Sequence, residues 1–339
     1  MLKNIMSKKR ISINDVAKRA GVSITTVSRV INNVPTVSKK NRIRVEEAIA
    51  HLNFQPDVTA QRLASGVKNS IGLVIPGYPG IFHSFYAIEV IRGVGHSCET
   101  FQMDMIFHIT NGLNPLNTSH VGGIVFADVI ENRKQVEIAL ANGTPCFVVN
   151  HKVEDMDVNY IAVDNVLGGE IAGDYLVGFG HKKIATITGD INTQSGFQRL
   201  HGLTRILKKK QIPLPEDHIL KGDYSRRSAR EAAEKIVALS DRPTAVFAAS
   251  DDMALESIAV FLEHGLKVPE DISVIGFDDN PICLYGSVAL TTVKQPLFEM
   301  AKDAVRYLYD IMKGKQDIPQ KIILKPELVV RDSCGPARG

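Results

Sequence analysis

The chain contains no apolar run of eighteen or more residues, so a membrane-spanning helix is not expected. Cysteine is scarce: Cys98, Cys146, Cys283 and Cys334 form no CxxC pair, and two of them flank apolar strand-like runs. They read as reduced, buried thiols and not as a disulfide frame or zinc ligands. A GxSxG elbow, a Walker loop and a GxGxxG fingerprint are all missing. No catalytic, cofactor or metal site is therefore expected, and the protein is not expected to be an enzyme. Gly168-Gly-Glu-Ile-Ala-Gly173 lacks the fingerprint spacing and fits close helix packing instead. Lys208-Lys-Lys210 reads as a solvated helix end, and His181 as a loop residue before a strand. The first ten residues, Met1 to Arg10, include no apolar signal core, so a cytoplasmic location is expected, with Met6 as an alternative start. After Arg331 there is no heptad or leucine-rich helix, so no tetramerising zipper is expected, and residues 333–339 read as a flexible tail.

What is present begins with a short helix, a turn and a second short helix. Ser12 and Asp15 are spaced as a capping box, and Ile13, Val16, Ala17 and Ala20 recur at helical intervals. Gly21 can end that helix in a left-handed conformation, and Ser23 can cap the next. In the second helix Val27, Val30 and Ile31 face inward, while Thr25, Thr26, Ser28 and Arg29 lie on or near the outer face. A third helix follows Ser38, with Val45, Ala48, Ile49 and Leu52 as its buried stripe. This is the layout that places one helix in a DNA major groove.

Charge agrees with that reading. Residues 1–68 hold thirteen Lys or Arg against four Asp or Glu, a net of +9; the whole chain is +3, which leaves −6 for the remainder. A basic head on an acidic body suits phosphate contact, although charge alone equally describes a solvated helical bundle. Pro56 then breaks the chain, Asp57 can cap a two-turn helix, and Gly66 can end it. Such a helix is too short to persist alone in water. It can order on DNA with Ala60 and Leu63 entering the minor groove, or serve as a plain linker.

From about Ser70 onward, β-branched runs alternate with helix-length segments. The strands expected include Ile71–Ile75, Met103–Phe107, Gly123–Phe126, Cys146–Val149, Ile184–Thr188, Ala245–Ala249 and Ile272–Phe277. This alternation predicts parallel sheets in an α/β fold, and roughly 270 residues suggests two lobes.

Several motifs together carry a resemblance. They are Ile13 to Asn33, the hinge, Phe179-Gly-His-Lys-Lys-Ile184, Val268 to Asp279, and Leu290-Thr-Thr-Val-Lys-Gln-Pro296. The chain resembles the lactose/galactose-repressor family of bacterial transcription factors. The resemblance implies a small all-α helix-turn-helix head and an α/β core of two-lobed periplasmic-binding-protein type I architecture. It implies a chain that crosses between the lobes three times, a homodimer on a pseudo-palindromic double-stranded DNA operator, and a small-molecule effector in the cleft. The expected segments are a head over 1–56, a hinge over 57–69, an effector-binding and dimerisation body over 70–332, and the tail.

Carried over by position, Ile24, Thr25 and Arg29 are the expected base readers. Thr26 and Ser28 are expected on phosphate, Asn32 belongs to the same DNA-facing set, and Ala60 and Leu63 match the hinge residues of the minor groove. Strand ends are where ligands sit in such sheets, and Phe85, Tyr86, Arg199 and Asp278 follow strands. Arg199 and Asp278 also match effector positions of the family, Tyr224 matches a stacking aromatic, and Ser250 a polar contact. The plainer alternatives are a turn cap for Asp278 or Asp279, core packing for Phe85 and Tyr86, and a surface ion pair for Arg199, which is expected to open its helix. The stretch Thr110 to His120 is shorter than the family's helix-bearing segment, so one helix of the first lobe is expected to be replaced by loop. The loop Gly77-Tyr-Pro-Gly80 also departs from the family pattern.

The expected function is transcriptional repression controlled by a sugar or nucleoside. Rival readings are control by a phosphorylated carrier protein, a solute-binding protein, or an α/β enzyme with an accessory head.

Overall fold

The computed structural model describes residues 11–31, 34–54, 69–77, 81–111, 114–130 and 132–338. The chain divides into two compact units, Met1–Lys68 and Asn69–Gly339. The expected hinge lies outside the described residues except for Asn69, and so do Tyr78, Pro79 and Gly80.

The described residues of the first unit form three helices. Helix α1 spans Ile13–Ala20; Ser12 accepts the Asp15 amide and Asp15 accepts the Ser12 amide, closing a capping box. Gly21 ends the helix at φ +63°, and its amide returns to Ala17 O. Helix α2 spans Ile24–Ile31, with the Thr26 amide donating to Ser23 Oγ at 3.1 Å. Helix α3 spans Lys39–Leu52, capped by Ser38 and closed by Asn53 at φ 48°. Val16, Ala17, Ala20, Val27, Val30, Val45 and Ala48 converge with Phe54 into one core.

The second unit holds two parallel-rich sheets. The N-lobe strands are β1 (Ser70–Pro76), β2 (Asp104–Thr110), β3 (Gly123–Ala127), β4 (Cys146–Val149) and β5 (Asn159–Val163). The C-lobe strands are β6 (Ile184–Ile187), β7 (Ile219–Leu220), β8 (Ala245–Ala248), β9 (Ser273–Asp278) and β10 (Thr291–Lys294). Late in the chain, β11 (Lys321–Leu324) returns to the first sheet and β12 (Glu327–Val329) joins the second. The orders are β11-β5-β4-β3-β1-β2 and β12-β10-β9-β8-β6-β7. Among the described strands, only β12 runs antiparallel to its neighbour. The chain therefore passes between lobes after β5, after β10 and after β11, giving three crossings.

Helices cover both faces of each sheet. In the N-lobe, α4 (Phe85–Thr100) and α5 (Arg133–Ala141) follow β1 and β3. The C-lobe carries α6 (Asn165–Gly178), α7 (Gln194–Lys209), α8 (Arg226–Ala238) and α9 (Asp251–Glu263). Helix α10 (Leu297–Met312) returns to pack on α4 and the N-lobe core. Helices α6 and α7 touch almost backbone to backbone: a methyl group on Gly202 would lie 2.0 Å from Val166 O, and one on Gly169 2.2 Å from Arg199 O. Close helix packing is what the Gly168–Gly173 cluster does.

Between β2 and β3 the described residues form loop with one 3₁₀ turn, Thr118–His120. Leu116 seats itself on Gly72 of β1, where any side chain would collide with it. The buried Gln135 accepts the Leu116 amide at 3.3 Å and donates to Thr110 Oγ1 at 2.6 Å. Leu116 thus packs on the sheet at Gly72, and Gln135 ties its loop to the end of β2.

The C-terminal tail departs from the sequence expectation of flexibility. Ser333 is fully buried, and Cys334 nearly so. Its backbone runs along β9, with Ser333 O accepting the Val274 amide at 2.8 Å and the Gly335 amide donating to Ser273 Oγ at 3.0 Å. His181 locks it from the other side, 3.0 Å from Gly335 O, 3.1 Å from Ser273 Oγ and 2.8 Å from Thr244 Oγ1. Polarity and Gly/Pro content suggested disorder; the unsatisfied groups beside β9 supply partners that composition cannot reveal.

Candidate functional site

The head presents one exposed helix face. Val27 and Val30 bury their side chains, which turns Ile24, Thr25 and Arg29 outward. Ile24 is 49% exposed on that face. Thr25 and Arg29 are four residues apart and share a face. Thr26 and Ser28 are half-buried at the edges of that face, and Ser23 Oγ lies 2.9 Å from Thr26 Oγ1. Asn32, Ala60 and Leu63 lie outside the described residues.

In the C-lobe, Arg199 is the centre of a buried polar cluster. It does not open its helix, as its position after a strand suggested: Thr193 caps α7 by accepting the Gly196 amide at 3.1 Å, which puts Arg199 in the second turn. Only 3% of Arg199 is exposed, so the surface ion-pair alternative fails. Nε donates to Asn165 Oδ1 at 2.9 Å, one terminal nitrogen to Ala249 O at 2.7 Å, and the other to Gln295 Oε1 at 3.3 Å. The guanidinium lies over Phe277, 3.7 Å from Cζ to the ring centre, and 3.9 Å from Asp278 Oδ1.

Asp278 ends β9 at φ 133°, a strained conformation for a side-chain-bearing residue. Gln295 Nε2 donates to its Oδ1. Burial pushes this carboxyl well above the usual range; the Arg199 charge opposes that and the Asp251 charge adds to it. Asp251 itself is fully buried, accepting from Asn280 N at 2.8 Å and Thr292 Oγ1 at 2.5 Å. Its pKa is raised by burial and lowered by those bonds. Asp279 has another role: it pairs with Arg331 at 2.6 Å. Ser250 caps α9, accepting the Met253 amide at 3.4 Å, next to the Ala249 carbonyl that holds Arg199. Tyr224, at φ 68°, lays its ring on Gly189, and its hydroxyl is 3.0 Å from Ser195 Oγ on α7. Arg199 and Asp278 therefore stand together at the C-terminal end of β9, while Ser250 follows the Ala249 carbonyl that Arg199 holds and Tyr224 meets the first turn of α7 through Ser195.

Phe85 and Tyr86 sit apart from that cluster, in the N-lobe, half-buried and packed against its core at the start of α4. The N-lobe offers polar residues that were missed from sequence. Asp128 follows β3 at φ 86°, and its Oδ1 accepts Val129 N at 2.6 Å and Ile130 N at 3.0 Å. Asn150 follows β4 at φ 65°, and its buried Oδ1 has no partner. His151 Nδ1 stands 3.1 Å from Asp128 Oδ1, at an angle that makes no hydrogen bond. The strand-end rule that singled out Asp278 applies equally to Asp128 and Asn150 and would have found them. An orphaned buried acceptor such as Asn150 Oδ1 suits a ligand rich in hydroxyl or N–H donors.

Residues 12–57 match the model for bacterial regulatory proteins of the lacI family, and residues 174–334 match a periplasmic binding protein-like domain. The HTH-type transcriptional regulator DegA of Bacillus subtilis (strain 168) is 34% identical over 339 residues, spanning 96% of this chain and 98% of DegA. The HTH-type transcriptional repressor PurR of Vibrio vulnificus (strain CMCP6) is 33% identical over 332 residues, spanning 95% of this chain and 98% of PurR. Among solved structures, the Lac repressor dimer bound to operator and the anti-inducer ONPF superposes with a TM-score of 0.84 at 27% identity. That match covers 96% of this chain and 100% of the Lac repressor chain.

Proposed function

The chain belongs to the lacI family of bacterial regulatory proteins, and on that premise we propose that it is a repressor whose hold on an operator is set by a small molecule in the body's cleft. It acts as a homodimer on double-stranded DNA, and it regulates without catalysing a reaction. Its working location is the cytoplasm, where the operator is. Among the described residues no helix is long and apolar enough to cross a membrane.

Ile24, Thr25 and Arg29 read bases from the exposed face of α2. Arg29 is the guanine reader, since its planar fork matches O6 and N7; a good bidentate pair discriminates by about 1–3 kcal/mol. Thr26 and Ser28 fix the register on phosphate, and Asn32 belongs to the same DNA-facing set. Ala60 and Leu63 enter the minor groove from the hinge.

The observation that carries the sensing half is the buried Arg199–Asp278 pair at the strand ends. A polar cluster of this density inside a lobe costs desolvation, which a ligand bridging donor and acceptor would offset. Arg199 as donor, Asp278 and Asn150 as acceptors and Tyr224 as a flat cover fit a polyhydroxylated sugar or a nucleoside. Ser250 adds a hydroxyl, and Phe85 and Tyr86 line the N-lobe side. Ligand binding changes the lobe arrangement and through it the hinge, with a coupling of about 1–3 kcal/mol, or roughly 5–150-fold in operator affinity.

The test is selection of bound duplexes from a random pool by the full-length protein, repeated with a panel of neutral sugars and nucleosides. A two-fold symmetric consensus whose recovery depends on one panel member is expected. Recovery of no consensus under any condition defeats the reading.

A further inference from the structure

We propose that Gln194 is a clasp between the two lobes, and that its amide couples the helix carrying Arg199 to the opposite wall of the cleft. The idea rests on the reading of the body as a ligand sensor and adds to it a residue that touches no ligand. Gln194 is the first residue of α7. The turn before it is rigid: Thr193 Oγ1 donates to Asp190 O at 2.6 Å and accepts the Gly196 amide at 3.1 Å. From that fixed base the side chain crosses to the N-lobe. Its Oε1 accepts the Lys152 amide at 2.8 Å, and its Nε2 donates to the Lys152 carbonyl at 3.0 Å. The same Nε2 lies 3.4 Å from His151 Nε2.

The pairing has the form of a single rung of sheet made by a side chain. It needs one donor and one acceptor side by side, which only an amide supplies; a carboxylate offers acceptors alone and an ammonium donors alone. What lies on either end makes the contact a coupling element. On the N-lobe side, Lys152 continues the segment that carries Asn150 and His151, and His151 faces Asp128. On the C-lobe side, the residue after Gln194 is Ser195, which meets Tyr224, and the next turn carries Arg199. Any shift of α7 caused by a ligand on Arg199 or Tyr224 therefore strains or relaxes the two Lys152 bonds. Both bonds are solvent-exposed, so water can replace them and the clasp can open reversibly.

The test uses the full-length protein with no added ligand, comparing it with Gln194→Ala and Gln194→Glu. One readout is hydrogen exchange at the Lys152 amide. The other is the distance between spin labels at Asn142→Cys and Glu234→Cys, exposed sites on the two lobes. The four native cysteines are buried, so labels go to the new ones. Gln194→Ala is expected to speed Lys152 exchange about tenfold and to lengthen and broaden the interlobe distance. Gln194→Glu, which keeps an acceptor for the Lys152 amide, is expected to fall between. Unchanged exchange overturns the proposal. Faster exchange with an unmoved distance overturns it as well, because the contact would then be local. Neither readout requires a ligand or DNA, so failure here leaves the repressor reading standing, and failure of the duplex selection leaves the clasp standing.

Discussion

Arg199 rests its guanidinium on the ring of Phe277, the residue immediately before Asp278 on β9. One side chain thus holds both the apolar floor and the carboxylate of the cluster. Arg199→Ala should remove a buried cation and leave Asp278, Gln295 and the Ala249 carbonyl without it, costing about 3–5 kcal/mol. Asp278→Asn should cost far less, because an amide keeps the shape and burial already disfavours the charged carboxylate. Denaturant titration separates the two. Operator binding by the Asp278→Asn protein should persist and lose its response to the small molecule that shifts the unmodified protein.

The α6–α7 contact sets where Arg199 stands. Gly202→Ala would drive a methyl into the Val166 carbonyl, with 2.0 Å available, and should destabilise by about 1–3 kcal/mol or more. Gly178→Ala, at the end of α6 with open space around it, should stabilise by about 0.5–1 kcal/mol. Urea midpoints of the two variants should move in opposite directions.

Arg29→Ala should weaken the selected operator by about 1–3 kcal/mol and relax choice at one base position of each half-site. Binding to unrelated duplex should weaken much less. Equal losses on both DNAs would place Arg29 on phosphate. Leu63→Gly, in the hinge, should likewise spare nonspecific binding.

A second copy of the chain needs apolar surface to meet. Tyr285 is 82% exposed and Leu284 58%, and Leu255 of α9 reaches the adjacent Gly286. Tyr285→Asp should convert the dimer to monomer in sedimentation and lower operator affinity steeply, since one head then binds one half-site.

His181 makes stability depend on pH. Burial lowers its pKa, so the unfolded chain takes up a proton first as pH falls below about 6.5. Its contribution is fully present above that value and is lost on acidification. Asp251 and Asp278 act in the other sense: their raised pKa values mean that the folded form binds protons first, adding stability as pH falls toward the ordinary aspartate range. The change in thermal midpoint from about pH 7.5 to about 5.5 should therefore be more favourable in His181→Gln than in the unmodified protein, as a smaller fall or a larger rise, because the destabilising histidine contribution is gone. A steeper fall in the variant would contradict the assignment.

Much of this molecule follows from local rules. Ser12 and Asp15 cap α1, Gly21 ends it at positive φ, and the 3.6-residue spacing of Val16, Ala17 and Ala20 buries one face. These interactions span four residues or fewer, so the chain's order suffices to specify them. The largely apolar strands β1, β3, β4, β6, β8 and β9 were legible for the same reason: each is buried along nearly its whole length and reads as a short apolar run rather than an alternation. Strand β7 has two residues, and β11 and β12 have half-exposed patterns, so their pairing partners define them and their own residues do not.

Sequence alone determined the capped helices of the head, the alternation that builds two sheets, and the charge difference between head and body, because each depends on neighbours along the chain. Tertiary structure alone decided that Arg199 is buried on Phe277, that Gln194 grips Lys152, and that Ser333, Cys334 and Gly335 pack beside β9. Those contacts join residues about forty to eighty positions apart. Whether a polar side chain at such a site is solvated or satisfied depends on which unpaired groups the fold brings to it.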